Sequence, residues 1–164
     1  MKQLNKQHRV FINTSLDVGK EIDCPTETIH HIRNVLRVKT NEKIIIFNGD
    51  GKEFKGKLLK ENNKKIIITD LLRTTKKSSK KIILAQCLSS NKHMDFAIQK
   101  SVELGIDIII PIKSKRSHPG GYIKKISHWK KIIIHATEQS HGLFIPELSE
   151  PMSFDQTLTH RKFK

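Results

Sequence analysis

The stretch from Lys81 to Ser117 constrains the fold more than any other, because it reads as strand, helix and strand in immediate succession. Lys81–Leu88 (KIILAQCL) is an apolar run of strand length. In residues 91–104 (NKHMDFAIQKSVEL), Met94, Ala97, Ile98, Ser101 and Leu104 recur at spacings of three and four, the period of a helix. Ser90 or Asn91 can cap its start, and Gly105 stands where helices commonly end in a left-handed residue. Residues 106–112 (IDIIIPI) form a near-continuous apolar run, the pattern of a parallel strand covered on both faces. Two parallel strands joined through a helix predict a right-handed βαβ crossover.

Open α/β sheets bind their ligands beyond the carboxyl ends of the strands. At that end stand Lys113, Ser114, Lys115, Arg116, Ser117 and His118. Such cations can hold phosphate, with Arg adding a planar fork for bidentate contact, or can simply line a solvated loop. Residue type alone leaves both readings open.

Residues 1–73 predict a small β domain with one helix. HRVFI (residues 8–12) is a strand that places Arg9 and Phe11 on one face and Val10 on the other. Asp23, Pro25 and Thr26 supply helix-start chemistry before a stripe of Ile29, Ile32, Val35 and Leu36. Arg33 and Arg37, four apart, are expected to project together from that helix. Strands are predicted at 43–47, 53–59 and 65–71, with turns at Asn48-Gly49-Asp50-Gly51 and at Glu61-Asn62-Asn63-Lys64. Short strands with turns between them suggest a small barrel. Residues 74–80, polar and basic, read as a solvated linker, and a second domain occupies 81–164. There, after Pro119-Gly120-Gly121, a helix from Tyr122 to about Ser140 carries Tyr122, Ile126, Trp129, Ile133 and Ala136 on one stripe, which makes Trp129 a core residue. Leu143–Leu148 can start another strand, and the pattern fades after Pro151.

The formal charge is +15 on 164 residues, with 18 Lys and Arg against 9 Asp and Glu in residues 1–80 and 13 against 7 in residues 81–164. Such a charge, spread over both halves, points to a polyanionic partner, most simply nucleic acid, although a compositional bias toward Lys and Ile produces the same count. No apolar run is long enough to span a bilayer, and no helix pairs a basic face with a strongly apolar one. The opening MKQLNKQHRVFIN lacks the apolar core of a signal peptide, and Cys24 and Cys87 make no spaced pair, so a cytoplasmic protein with reduced thiols is expected. The nine histidines follow no metal-ligand spacing.

Several segments together resemble one family. HRVFI, HHIRNVLRVK with Asn41, Glu42 and FNGDG, LAQCL with MDFAIQKSVELG, IIPIKSKRS, and WKKIIIHATEQS with Pro146 and Glu147 are similar, in order, to the small-subunit ribosomal RNA methyltransferases that modify N3 of a uracil. The resemblance implies an α+β two-domain chain: an N-terminal PUA-like small β-barrel that helps bind RNA, then the first part of an α/β domain of the knotted SPOUT class. It implies S-adenosylmethionine as methyl donor, 16S ribosomal RNA or the small ribosomal subunit as partner, a homodimer and no metal. By the same resemblance Arg9, Arg33 and Arg37, with His31 and Lys39, hold RNA phosphates. Arg116 stabilises the uracil anion, Glu138 and Gln139 position it, and Glu103 supports them.

Three departures stand out. Ser89-Ser90-Asn91 replaces the family's Pro-Lys-Gly, Lys115 replaces a Glu before Arg116 and Ser117, and His141-Gly142 replaces the usual Gly-Arg after Glu138, Gln139 and Ser140. The family's donor-binding glycine loops and knot lie in sequence beyond the position of Lys164. The expectations are therefore no cofactor-binding residues within these 164, no donor binding by this chain, and partly uncovered faces at Ile108–Ile110 and Ile132–Ile134 that favour self-association. A basic RNA-binding module without activity is the alternative.

Overall fold

The structure, a computed structural model, describes residues 8–59, 64–115, 117 and 122–159, and for 122–124 the backbone alone. The chain forms two compact units that divide in the sequence between Lys77 and Ser78. The turn at 61–63, the Pro119-Gly120-Gly121 break, Arg116 and His118 lie outside the described residues.

The first unit is a five-stranded sheet built from β1 (Arg9–Phe11), β2 (Glu21–Asp23), β3 (Lys43–Phe47), β4 (Lys52–Leu58) and β5 (Lys65–Thr74), in the order β1-β3-β4-β5-β2. β1 runs parallel to β3 and the other pairings are antiparallel. Val10, Ile22, Ile44, Ile46, Phe54, Leu58, Ile66 and Ile68 point into one core. The other face of β3 is buried too, by Ile45 and by Phe47, whose ring lies 5.6 Å from that of Phe11. Burial on both faces explains why KIIIF does not alternate. In the turn after it, Gly49 and Gly51 take φ of +85° and +94°, and Asp50 Oδ1 accepts from the Lys52 amide at 2.9 Å. β5 reaches Thr74, past the predicted strand end and into the expected linker, with register shifts against β4 at Glu53/Phe54 and Lys55/Gly56. β2 is a strand that the sequence pattern did not reveal.

The helix of this unit is short. Pro25 occupies its N-cap without a side-chain bond, α1 covers Thr26–His30, and a π-helical turn follows over His31–Val35. The wider turn breaks the predicted stripe: Ile32 is buried, Ile29 and Leu36 pack on the core, and Val35 is 61% exposed. The Val38 amide closes the helix on the Ile32 carbonyl at 3.0 Å, and Arg37 adopts φ +57°.

The second unit is a parallel sheet of β6 (Ile83–Cys87), β7 (Ile108–Lys113), β8 (Glu147–Leu148) and β9 (Met152–Ser153). β6 pairs with one edge of β7 throughout, β8 joins β7 at Ile108 and Ile109, and β9 joins it at Ile112 and Lys113. α2 (Asn91–Glu103) links β6 to β7, α3 (Tyr122–Gln139) links β7 to β8, and α4 (Phe154–Thr159) follows β9. Met94, Ile98 and Val102 of α2 pack with Ile126, Trp129, Ile133 and Ala136 of α3 over Ile109. Trp129 is thus core, as predicted, whereas Leu104 is exposed and Val102 takes its place. Gly105, at φ +85°, closes α2, the Ile106 amide reaching the Ser101 carbonyl at 3.1 Å and the Gly105 amide the Val102 carbonyl at 3.0 Å. Ser90 stands at the α2 N-cap but bonds the His93 ring at 3.0 Å rather than the backbone.

The expected uncovered face is not found at Ile108–Ile110, while partial exposure remains at Ile132 and Ile134. Ile108, Ile109, Ile110 and Ile133 are buried, and Ile132 and Ile134 are half-buried. The reason is that β8 and β9 extend the sheet beyond β7, and Ile83 and Met152 pack on Ile108, Ile110 and Ile112.

Candidate functional site

The carboxyl ends of β6 and β7 are tied together by two serines. The Ser117 amide donates to the Ser114 carbonyl at 3.0 Å, and Ser117 Oγ accepts from the Ser114 amide at 2.9 Å. The two hydroxyls lie 3.0 Å apart, and Ser117 Oγ also donates to the Leu88 carbonyl at 3.4 Å. The Leu88 amide in turn reaches the Ile112 carbonyl at 2.9 Å. The loops after both strands therefore form one anchored structure, on which Lys113 and Lys115 are exposed. Arg116, the predicted anion-stabilising residue, lies outside the described residues.

Glu103, Glu138 and Gln139 do not join that edge. α2 leaves the carboxyl end of β6 and returns to the start of β7, and α3 leaves β7 and returns to β8, which pairs with the start of β7. His128 Nε2 and Asp95 Oδ2, both near the starts of their helices, are 2.9 Å apart, so α2 and α3 run side by side in one direction. Their last turns sit at the amino-terminal edge of the sheet; from His128 to Glu138 alone α3 rises about 15 Å. Connectivity thus places these three residues at the edge of the sheet opposite the Ser114–Ser117 anchor.

At that opposite edge Glu103 is engaged by Lys100 Nζ at 2.7 Å and Gln99 Nε2 at 2.9 Å, which hold its carboxyl below the usual range. Glu138 is buried, and its Oε2 lies 3.1 Å from His135 Nδ1. That hydrogen bond holds the His135 imidazole above its ordinary pKa, against the opposing effect of burial. Gln139 is exposed. α3 closes with His141 at φ +58° and the Gly142 amide on the Thr137 carbonyl at 3.1 Å. The family's Gly at this left-handed position is thus a His here. Its Arg would stand at Gly142, where an added Cβ meets Thr137 Cγ2 at 3.0 Å.

In the first unit the predicted RNA contacts separate. Arg9 is buried: its guanidinium lies 3.7 Å from the Phe47 ring centroid, and Nε donates to Glu53 Oε1 at 2.6 Å. Arg73 Nε, on the adjoining strand, is 3.4 Å from the other oxygen of Glu53. Arg9 therefore holds the sheet together rather than reaching outward. The Glu53–Arg73 partnership was missed because a hairpin with two register shifts obscures which residues face each other. Arg33 and His31 are half-buried in the π turn, and Arg37 and Lys39 are exposed beyond it. Arg33 and Arg37 do not form the expected pair four apart on one helix, because the helix ends between them. Cys24 is buried, its thiol pushed up to about 11 by burial and by the Asp23 carboxylate, and Cys87 is exposed; both are free.

Among the described residues, the two glycines of the second unit close helices, Gly105 after α2 and Gly142 after α3. Neither lies beyond the carboxyl end of a strand.

A family model for an RNA methyltransferase PUA domain matches residues 25–71, and one for an RNA methyltransferase domain matches residues 76–163. The ribosomal RNA small subunit methyltransferase E of Buchnera aphidicola from Schizaphis graminum is 35% identical over 87% of this chain and 61% of its own length. The enzyme of the same name from Neisseria gonorrhoeae, solved bound to S-adenosyl methionine, superposes with a TM-score of 0.83 at 34% identity, over 93% of this chain and 65% of that one. The chain belongs to the RNA methyltransferase family whose domain model spans residues 76–163. A Legionella pneumophila methyltransferase in complex with the bound cofactor SAM is also similar, at a TM-score of 0.87 and 32% identity over 96% of this chain and 67% of that one. As an RNA methyltransferase family member, the chain has a PUA-like first unit and an α/β methyltransferase second unit. It spans about three fifths of the length of the curated family members it matches first. No helix among the described residues is long and apolar enough to cross a membrane.

Proposed function

We propose that the protein methylates N3 of a uridine in small-subunit (16S) ribosomal RNA, with S-adenosylmethionine as donor and a homodimer as the working form. The observation that carries this reading is the order of the two family models, PUA domain then methyltransferase domain, each falling on its own compact unit.

The protein's share of the chemistry follows from the substrate. Uracil N3 carries a proton and becomes a good nucleophile only once that proton is lost. The resulting charge spreads onto the flanking carbonyl oxygens, where fixed cations and N–H donors stabilise it as they would an oxyanion. Among the described residues, Lys113 and Lys115 are exposed on the loop anchored by Ser114 and Ser117, at the strand-end edge where open α/β sheets bind their ligands, which supports this reading. Arg116 is assigned to the uracil anion, and Arg37 and Lys39 to backbone phosphates.

The test is transfer of labelled methyl from S-adenosylmethionine to undermethylated small subunits, followed by nucleoside analysis. N3-methyluridine in the 16S RNA, lost in Arg116→Ala, is the expected result. RNA binding without transfer would instead make the chain a binding module and overturn the enzymatic reading.

A further inference from the structure

The β3–β4 hairpin carries a charge arrangement that the sheet itself does not balance. Lys43 stands directly opposite Lys57 in the antiparallel ladder, and Lys55 follows on the same face of β4. Lys43 is exposed and Lys55 and Lys57 are half-buried, and no side-chain hydrogen bond or ion pair engages any of the three among the described residues. Two of the neighbouring carboxylates are ion-paired with other cations, and the third stands opposite Lys55. Glu53 holds Arg9 and Arg73, Glu21 is 3.5 Å from Lys65, and Asp70, opposite Lys55 in register, accepts from Thr69 at 2.8 Å. Like charges directly opposed across a ladder destabilise a sheet. Lys43 and Lys57 thus stand directly opposed with no acid between them, and Lys55, facing Asp70, extends the cationic strip along β4.

We infer that the strip of Lys43, Lys55 and Lys57 docks an RNA phosphate backbone, a reading that rests on the function proposed above. The ammonium-bearing residues are about 5 Å apart across the ladder and about 7 Å apart along the strand, within reach of neighbouring phosphates. Lysine is a mobile point charge and reads no base, so the strip orients the RNA and leaves selection of the nucleotide to the other unit. An acidic protein is the poorer occupant, because lysine is depleted in protein–protein interfaces and no aromatic anchor stands among the three.

The test is binding of the chain to a 16S ribosomal RNA transcript across a potassium chloride series. Lys43→Gln with Lys57→Gln should flatten the slope of log affinity against log salt by about 1.4 to 1.8, the loss of two phosphate contacts. Thermal stability should not fall, since a like-charge pair is removed. Lys43→Arg with Lys57→Arg should keep the wild-type slope. Lys130→Gln with Lys131→Gln, an equal loss of charge on exposed positions of α3, should also keep it. An unchanged slope in the first double variant, or equal flattening in both Gln pairs, overturns the strip while leaving the methyltransferase reading intact. A wild-type chain that binds no RNA overturns both. Polyglutamate binding that falls in the first variant while RNA binding holds would assign the strip to an acidic protein and overturn the proposal.

Discussion

At the scale of single residues, the most restrictive position is Gly56. A Cβ there would lie 2.5 Å from Ile46 Cδ1, 2.9 Å from Ile66 Cγ2 and 3.2 Å from the Ile67 carbonyl oxygen. The glycine lets β3 and β5 close over β4 in the centre of the first core. Gly56→Ala should destabilise the first unit by about 1–3 kcal/mol through overpacking, read as a lower urea midpoint with an unchanged slope. Arg9 shows the limit of carrying a role over by resemblance. The resemblance assigned its guanidinium to an RNA phosphate, and nothing local announced that Phe47 and Glu53, both distant in sequence, would enclose it. Burying such a charge is tolerable because its partner is hydrogen-bonded at 2.6 Å.

Among the elements, those with long, unambiguous periods were legible and those that depart from a regular period were not. β6, α2, β7 and α3 stand where the apolar spacing put them, because each buries a face large enough to leave a pattern. The π turn was invisible: its wider hydrogen bonding follows from how the chain must leave the core at Val38, and it moved Val35 outward and parted Arg33 from Arg37. β9 and α4 were missed because two-residue strands carry no period. The α4 signature is a reciprocal cap, with Ser153 Oγ on the Gln156 amide at 3.2 Å and Gln156 Oε1 on the Ser153 amide at 2.8 Å, a signal that was present in the sequence. The separation of Glu103 and Glu138 from the strand-end loop was also available, since helices in a βαβ series must run back to the other edge. The closure of the π turn gives an element-level prediction. Arg37 pays for a left-handed conformation without a Cβ-free backbone, so Arg37→Gly should raise stability by about 0.5–1 kcal/mol in denaturant unfolding, and Arg37→Ala should not.

On the scale of the whole molecule, the chain is two units joined by a stretch that contributes to neither core. Residues 75–81 are exposed, lie outside regular structure and contain Lys76, Lys77, Lys80 and Lys81. Trypsin under native conditions should therefore cut here before it cuts within either sheet, giving two stable fragments identifiable by mass. First cleavage inside β3–β5 or α2–α3 would refute that order. The two thiols are divided in the same way, one to each unit. Cys24 is sequestered and stays protonated at any ordinary pH, while Cys87 is exposed at the end of β6, beside the serine-anchored loop. A maleimide dye added to the native protein consequently has one place to react. The second unit thus carries a built-in attachment point for a fluorophore or spin label, and the PUA-like unit stays dark without any cysteine having to be removed.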